Sequence, residues 1–155
     1  MRNKNIDFFQ KAQAYAFLLL KFRLRSENEI RQRLKRKKFE ETLIDETISF
    51  LKENGFVDDR VFAKAWISSR IKRPLGLKRL RQELKIKGVS EDIINEQILE
   101  AKKNYSEQVI VLDLARERIK KLKGVEPKKA KQRIFGYLMR RGFLADTVIE
   151  ALKEI

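Results

Sequence analysis

The 155-residue chain contains no cysteine and no histidine. Without cysteine it has no disulfide, no thiol nucleophile and no Cys-ligated metal centre. Without histidine it lacks the commonest general base and the commonest metal ligand of proteins. It also carries no Gly-rich phosphate-binding motif and no nucleophile elbow. We therefore expect a protein that is not an enzyme and that uses no cofactor and no metal.

Long hydrophobic runs are missing as well. The longest apolar stretch, residues 16–20, is followed at once by lysine and arginine, whereas a membrane-spanning helix needs roughly 20 apolar residues. The first seven residues, MRNKNID, lead into aromatic and charged residues without the small-residue cleavage site of a signal peptide. We expect a cytoplasmic protein without membrane contact. Because no oligomer seam is visible, we expect a monomer.

Turn-forming residues are scarce, since the chain has only six glycines and two prolines. A series of β-strands would need more of them, and apolar residues instead recur at helical spacing. Ser26 and Glu29 have the spacing of a capping box, and Pro127 suits the first position of a helix. These signals predict an all-α fold. The nine predicted helices cover residues 6–24, 27–38, 41–54, 59–72, 76–87, 91–104, 106–123, 127–141 and 145–154.

A repeat underlies these helices. When Leu34, Leu84 and Leu138 are aligned, the positions four residues before and five, ten and fourteen residues after them are apolar in all three copies. This pattern predicts three tandem three-helix repeats. One unit of this size buries little surface alone, so stacked units should share a shallow core in an elongated array that curves to the right or to the left. The predicted repeats cover residues 1–57, 58–104 and 105–155.

The net charge of +15 is unevenly distributed. The middle helices of the three repeats hold 17 of the basic residues and only three acids, while the third helices of the first two repeats are acidic. A basic surface repeated along an array fits a polyanion. The alternative is a solvated face whose charges pair with the neighbouring acidic helices. The predicted contact residues, here called the basic ridge, are Arg31, Lys35, Arg36, Lys78, Arg79, Arg81, Lys85, Lys128, Lys129, Arg133, Arg140 and Arg141.

Three other features each allow two interpretations. The adjacent Asp58 and Asp59 could serve a metal or acid–base site, but their place before a helix favours a cap. Trp66 could stack on a nucleic-acid base, but its helical setting favours packing in the core. Phe135 and Met139 replace basic residues in the third repeat. They would pack on the neighbouring unit or contact a protein partner.

The centre of the chain carries a longer motif. Residues 55–66 read GFVDDRVFAKAW, and Arg70, Gly76 and a KGV turn at residues 87–89 follow. This combination resembles the central signature of the RecX family, bacterial regulators of the RecA recombinase. The run RSENEI at residues 25–30 resembles the family's first repeat, and residues 114–152 resemble its third. One departure is visible, because Leu77 follows Gly76 where the family commonly has proline.

The resemblance implies roles for the signature residues, which we expect to be mainly structural. These residues are Gly55, Phe56, Asp58, Asp59, Phe62, Ala63, Trp66, Arg70, Gly76, Leu84 and Gly88.

The resemblance also implies a function. Members are understood to dock in the groove of the RecA–single-stranded DNA filament and to act as mainly negative modulators. They restrain the ATPase, strand-exchange and coprotease activities of RecA in DNA repair and the SOS response. The implied partners are the RecA filament and the single-stranded DNA within it, which the protein would bind only weakly alone. The charge by itself leaves an alternative, a stand-alone basic DNA-binding protein that is nonspecific or helix-turn-helix-like.

Overall fold

The described part of the protein is entirely helical. The computed structural model describes residues 4–155, without the side chain of Asn5, so residues 1–3 of the first predicted repeat lie outside the described residues. Nine helices form in this part of the chain, each within two residues of its predicted ends. They are α1 (Lys4–Phe22), α2 (Glu27–Arg36), α3 (Glu41–Glu53), α4 (Asp59–Arg70), α5 (Leu77–Ile86), α6 (Glu91–Lys102), α7 (Glu107–Lys121), α8 (Pro127–Arg140) and α9 (Ala145–Lys153).

The predicted caps begin these helices. The Ser26 hydroxyl accepts a hydrogen bond from the Glu29 amide at 3.1 Å. The Glu29 carboxylate in turn accepts one from the Ser26 amide at 3.0 Å, so the capping box is complete. Pro127 opens α8, where its missing N–H leaves no intrahelical bond unmade.

The repeated apolar positions form the core. All but two of them are buried. The exceptions, Phe39 and Leu152, are half-buried and pack against buried clusters. The helical period of the sequence therefore marks the inward faces of α2, α3, α5, α6, α8 and α9.

The chain packs as two compact units. Unit 1 contains the residues up to Ala65 together with Leu84–Ile94, and unit 2 contains Trp66–Glu83 and Asn95–Ile155. The second predicted repeat thus contributes residues to both units. The repeat boundaries and the curvature expected of the array stay predictions.

Each unit has its own core. The core of unit 1 joins α1, α2 and α3 through Ala16, Ile30, Ile44 and their buried neighbours. The core of unit 2 joins α7, α8 and α9 around Phe143, which is fully buried. Phe135 and Met139 pack against this second cluster, whose buried members all lie in their own predicted repeat and not in the neighbouring one.

Candidate polyanion-binding surface

The basic ridge lies on α2, α5 and α8, with Arg141 at the C-terminal cap of α8. Its arginines Arg31, Arg79, Arg81 and Arg141 are half-buried. The other eight residues are exposed: Lys35, Arg36, Lys78, Lys85, Lys128, Lys129, Arg133 and Arg140. What these charges meet differs from one helix to the next.

On α2, acids of the same unit pair with two of the three ridge residues, Arg31 and Lys35, whereas Arg36 forms no ion pair with a described residue. The Arg31 guanidinium lies 2.6 Å from the Asp45 carboxylate and 3.4 Å from that of Glu41. The hydrogen bond to Asp45 raises the pKa of Arg31. The Lys35 ammonium lies 3.6 Å from the same Glu41 carboxylate. Both basic side chains therefore already face carboxylates of α3.

The ridge on α5 is paired in a similar way. The Lys85 ammonium lies 3.2 Å from the Glu91 carboxylate at the start of α6. The Arg79 guanidinium lies 3.3 Å from Glu83, and Arg81 donates a hydrogen bond to the Asn95 side chain. Lys78 is exposed and forms no ion pair with another described residue. One ridge cation of this helix is thus open to solvent.

The ridge cations of α8, in contrast, lack carboxylate partners among the described residues. Within residues 4–155, no carboxylate lies within ion-pair distance of Lys128, Lys129, Arg133 or Arg140. All four side chains are exposed. The uncompensated positive charge of the ridge is therefore concentrated on α8.

A cleft between α7 and α8 gathers part of this charge, and we call it the α7–α8 cleft. Four cations and no acid line it. Arg118 lies with its guanidinium carbon 4.1 Å from the centre of the Tyr137 ring, and that of Arg141 lies 4.9 Å from the same ring. Both distances allow cation–π contact. The lining residues are Arg118, Lys121, Leu122, Arg133, Ile134, Tyr137 and Arg140.

A second cleft lies between α5 and α8, and we call it the α5–α8 cleft. It too has no acidic lining residue. Arg140 lines both clefts, so they adjoin one another within unit 2. The lining residues are Lys78, Arg79, Gln82, Met139, Arg140, Gly142 and Phe143.

Sequence reasoning missed Arg118 and Lys121 because they lie on α7, outside the middle helices. The sequence does mark them as part of a basic run, since residues 116–123 carry five basic residues and one acid. Placing that run beside α8 requires the tertiary structure.

The signature residues Trp66 and Arg70 converge on Glu83. The Trp66 indole donates to the Glu83 carboxylate at 2.9 Å, and Arg70 donates to both of its oxygens at 2.8 and 3.1 Å. Burial alone would raise the pKa of Glu83, but the hydrogen bonds from Arg70 and Trp66 outweigh it and lower the pKa. Trp66 is half-buried, and its indole N–H is engaged by Glu83 within the protein.

The signature glycine Gly88 lies at a joint in unit 1. A Cβ at position 88 would lie 2.4 Å from the Cβ of Asn28, so only glycine fits without displacement. The Ser26 hydroxyl donates to the Lys87 carbonyl at 2.6 Å, and the Lys87 ammonium lies 3.0 Å from Glu29. The C-terminal turn of α5 is thereby fixed against the N-terminus of α2.

A joint of the same kind lies in unit 2. The Gly76 amide donates to the Arg141 carbonyl at 2.8 Å. A Cβ at Gly142 would lie 2.3 Å from the Cβ of Arg79. The C-terminal turn of α8 therefore meets the N-terminus of α5, as the turn of α5 meets α2 in unit 1.

The departure at Leu77 also has a local explanation. Its amide donates to the Glu107 carboxylate at 2.6 Å, a bond that a proline at this position could not make. Burial raises the pKa of Glu107. In this chain, α7 is thus held to the start of α5 by a backbone N–H.

The two adjacent aspartates act at helix starts. Asp58 accepts the Arg60 amide at 2.9 Å and so caps α4. Asp59 accepts the Glu27 amide at 2.9 Å, and its burial raises its pKa. Among the described residues, no cluster of acids has the geometry to hold a metal ion. The hydrogen bonds of Asp58 and Asp59 to backbone amides at helix starts therefore support their interpretation as caps.

The remaining signature residues fall into two groups. Phe62, Ala63 and Leu84 are buried. Gly55 has a left-handed φ of +73° after α3, and Phe56 is exposed, with its ring against that of Phe17. No helix within residues 4–155 is long and apolar enough to cross a bilayer.

Family models decide the relationship of the chain to known proteins. The first three-helix domain of RecX matches residues 12–51, the second matches residues 58–96, and the third matches residues 106–152. The chain belongs to the RecX family. Relatives named regulatory protein RecX agree with this. That of Chlorobium phaeobacteroides (strain BS1) is 38% identical over 147 residues, or 94% of each chain. That of Haemophilus influenzae (strain PittEE) is 35% identical over 141 residues, or 90% of this chain and 91% of the relative.

Solved RecX structures share the fold. The crystal structure of RecX from Lactobacillus salivarius has a TM-score of 0.85 and 20% identity, with 96% of this chain and 97% of that chain covered. A second crystal structure, of a regulatory protein RecX, has a TM-score of 0.82 and 20% identity, with 98% of this chain and 74% of the other covered. The chain is therefore a regulatory protein of the RecX family with tandem three-helix domains.

Proposed function

We propose that this protein is a mainly negative modulator of the RecA recombinase. It binds in the groove of the RecA–single-stranded DNA filament and restrains RecA's ATPase, strand-exchange and coprotease activities. The observation that carries the proposal is the match of all three RecX domains along the chain. The protein acts in the cytoplasm, by binding and without catalysis of its own.

The basic ridge supplies the contacts in this proposal. Its cations meet the filament DNA or acidic loops of RecA. Arg31, Lys35 and Lys85 would exchange their present carboxylate partners for those of the filament, whereas the unpaired cations of α8 bind without giving up an ion pair. Several contacts along one filament add through effective concentration, so each can be weak. Occupying the groove excludes a second DNA and favours one arrangement of RecA subunits, which is how binding alone shifts an enzyme's activity.

The proposal is tested by RecA ATP hydrolysis on single-stranded DNA, titrated with this protein at physiological salt. We expect inhibition at well below one molecule per RecA subunit, because one molecule contacts several subunits. The matched variant reverses the charges of Arg31, Lys35, Arg81 and Lys85, and we expect it to inhibit less. Because Arg31 and Arg81 are half-buried, a thermal melt followed by circular dichroism checks that this variant remains folded. Unchanged ATP hydrolysis at saturating protein would refute the proposal.

The stand-alone DNA-binding protein remains the second candidate, because the unpaired cations of α7 and α8 favour a polyanion of any origin. It predicts tight binding to DNA without RecA, with an affinity that falls steeply as salt is raised. Strong binding to bare DNA together with no effect on RecA would select this candidate.

A further inference from the structure

We propose that the α7–α8 cleft binds the sugar–phosphate backbone of a single-stranded nucleic acid. Its four cations, Arg118, Lys121, Arg133 and Arg140, are the phosphate contacts. The proposal deepens the proposed function and rests on it for the source of the strand, the DNA of the filament. It assigns the phosphate contacts to unit 2, including two α7 residues outside the basic ridge.

The positive charge of the α7–α8 cleft is not compensated by acids. All four cations line one cleft that has no acidic lining residue, and none of the four pairs with a carboxylate among the described residues. The Arg31, Lys35 and Lys85 side chains, in contrast, already face carboxylates. An incoming phosphate therefore displaces no internal partner in the α7–α8 cleft, so the full attraction is available for binding.

The arginines beside the cleft are held in position by Tyr137. The Arg118 guanidinium stacks on the Tyr137 ring at 4.1 Å. Arg141 contacts the same ring at 4.9 Å and donates to the Pro74 carbonyl at 2.9 Å. Tyr137 is thereby held in place and in turn orients Arg118. A guanidinium fixed by stacking loses less conformational freedom when it binds, and its planar fork suits phosphate oxygens.

The arrangement of the cations favours a nucleic-acid strand over a single anion or an acidic protein loop. Arg140 lines both the α7–α8 cleft and the α5–α8 cleft, where Lys78 is exposed and unpaired among the described residues. The cations therefore continue from one cleft into the next. A chain with a negative charge at every repeat satisfies such a series, because each nucleotide brings a phosphate of its own.

The test compares two triple variants that remove the same net charge. The site variant carries Lys121→Gln, Arg133→Gln and Arg140→Gln and spares Arg118, whose stacking on Tyr137 also packs α7. The control variant carries substitutions at exposed lysines that pair with carboxylates outside both clefts. These substitutions are Lys52→Gln, Lys103→Gln and Lys153→Gln.

The measurement is the fluorescence anisotropy of a labelled oligo-dT strand over a salt series, without RecA. Each phosphate contact on a single strand adds about 0.7 to the slope of log affinity against log salt. We expect the site variant to lower that slope by about 2 and to bind roughly tenfold or more weakly at low salt. The control variant is expected to keep the slope of the unsubstituted protein. A thermal melt followed by circular dichroism checks that both variants remain folded, and Arg133→Gln alone provides a milder second variant.

Two outcomes would overturn the proposal. Equal loss in both triple variants would show that only net charge matters. Unchanged oligo-dT binding by the site variant, with loss of RecA inhibition, would assign the cleft to an acidic surface of RecA instead. Failure of the proposed function is seen separately: the unsubstituted protein would then leave RecA ATP hydrolysis unchanged, whatever the oligo-dT result.

Discussion

Replacing Glu29 with glutamine tests the ionic contacts that join α5 to α2 in unit 1. The Glu29 carboxylate lies 2.7 Å from Arg23 and 3.0 Å from Lys87, and it also accepts the Ser26 amide. Glutamine at this position of a capping box still accepts the backbone bond. The substitution Glu29→Gln therefore removes the charge and keeps the cap.

The pKa of Glu29 indicates how much the ionised carboxylate contributes to the free energy of unfolding. Burial alone would raise it, but hydrogen bonds from Arg23, Lys87 and the Ser26 amide lower it from 4.5 to about 2. One pKa unit corresponds to about 1.4 kcal/mol, so the ionised carboxylate stabilises the fold by at most about 3.5 kcal/mol. Because Arg23 is 41% exposed, solvent screening reduces this towards about 2 kcal/mol.

A carboxyl whose pKa is lower in the folded protein stabilises the fold above its ordinary pKa and loses that contribution as the pH falls through its folded value. The stabilisation by Glu29 is therefore complete above about pH 4.5 and disappears as the pH approaches about 2.

Urea unfolding followed by the helical circular dichroism signal is the assay. At neutral pH we expect Glu29→Gln to reduce the free energy of unfolding by about 2 kcal/mol, and at pH 3 by clearly less. Glu53→Gln is the control, because Glu53 is exposed and forms no ion pair with a described residue. A loss of equal size at both pH values would refute the reasoning, since a charge-dependent contribution must decline with protonation.

Two further predictions concern packing. Leu84 is fully buried, whereas Leu99 is 66% exposed. Leu84→Ala should therefore reduce the free energy of unfolding by roughly 2–5 kcal/mol in the same urea assay, while Leu99→Ala should change it little. Similar losses in the two variants would contradict the assignment of Leu84 to the core. Gly142 and Gly55 both have left-handed φ, but a Cβ would meet Arg79 at 2.3 Å only at Gly142. Gly55→Ala should therefore cost about 1–2 kcal/mol from backbone conformation alone and Gly142→Ala distinctly more, and an equal cost would show that the joint relaxes freely.

Features set by local chemistry could be predicted from the sequence. Ser26 and Glu29 cap α2 because the capping box needs only residues three apart. The aligned Leu34, Leu84 and Leu138 are all fully buried, because the helical period fixes which face turns inward. The scarcity of turn residues, together with the helical spacing of apolar residues, predicts an all-α fold.

Contacts between distant segments could not be predicted in this way. The sequence shows Arg31 on a basic helix and Asp45 on an acidic one, but their 2.6 Å ion pair depends on how α2 packs against α3. The same limit applies to Arg118, which stacks on Tyr137 from another helix. Asp59 likewise matches a helix cap in sequence, yet its carboxylate accepts the amide of Glu27, which is 32 residues away.

The joints explain where the repeats depart from one another. Lys38 occupies the position that Gly88 and Gly142 occupy in the later repeats, and all three residues have left-handed φ. At Gly88 and Gly142 the N-terminus of another middle helix approaches too closely for a side chain. Lysine at the first of these positions bears the strain of the same backbone conformation. The left-handed turn therefore belongs to every repeat, while glycine is required where a joint forms.

The joint in unit 2 also belongs to the proposed binding surface. Arg79 and Gly142, which meet at the joint, both line the α5–α8 cleft. Arg140, next to the joint, accepts a hydrogen bond from Arg79 on its carbonyl and extends its side chain into both clefts. A change that separates α5 from α8 must therefore also separate the cations that would bind one strand. The joint of unit 2 and the proposed recognition of a polyanion would thus depend on the same short segment, residues 139–143.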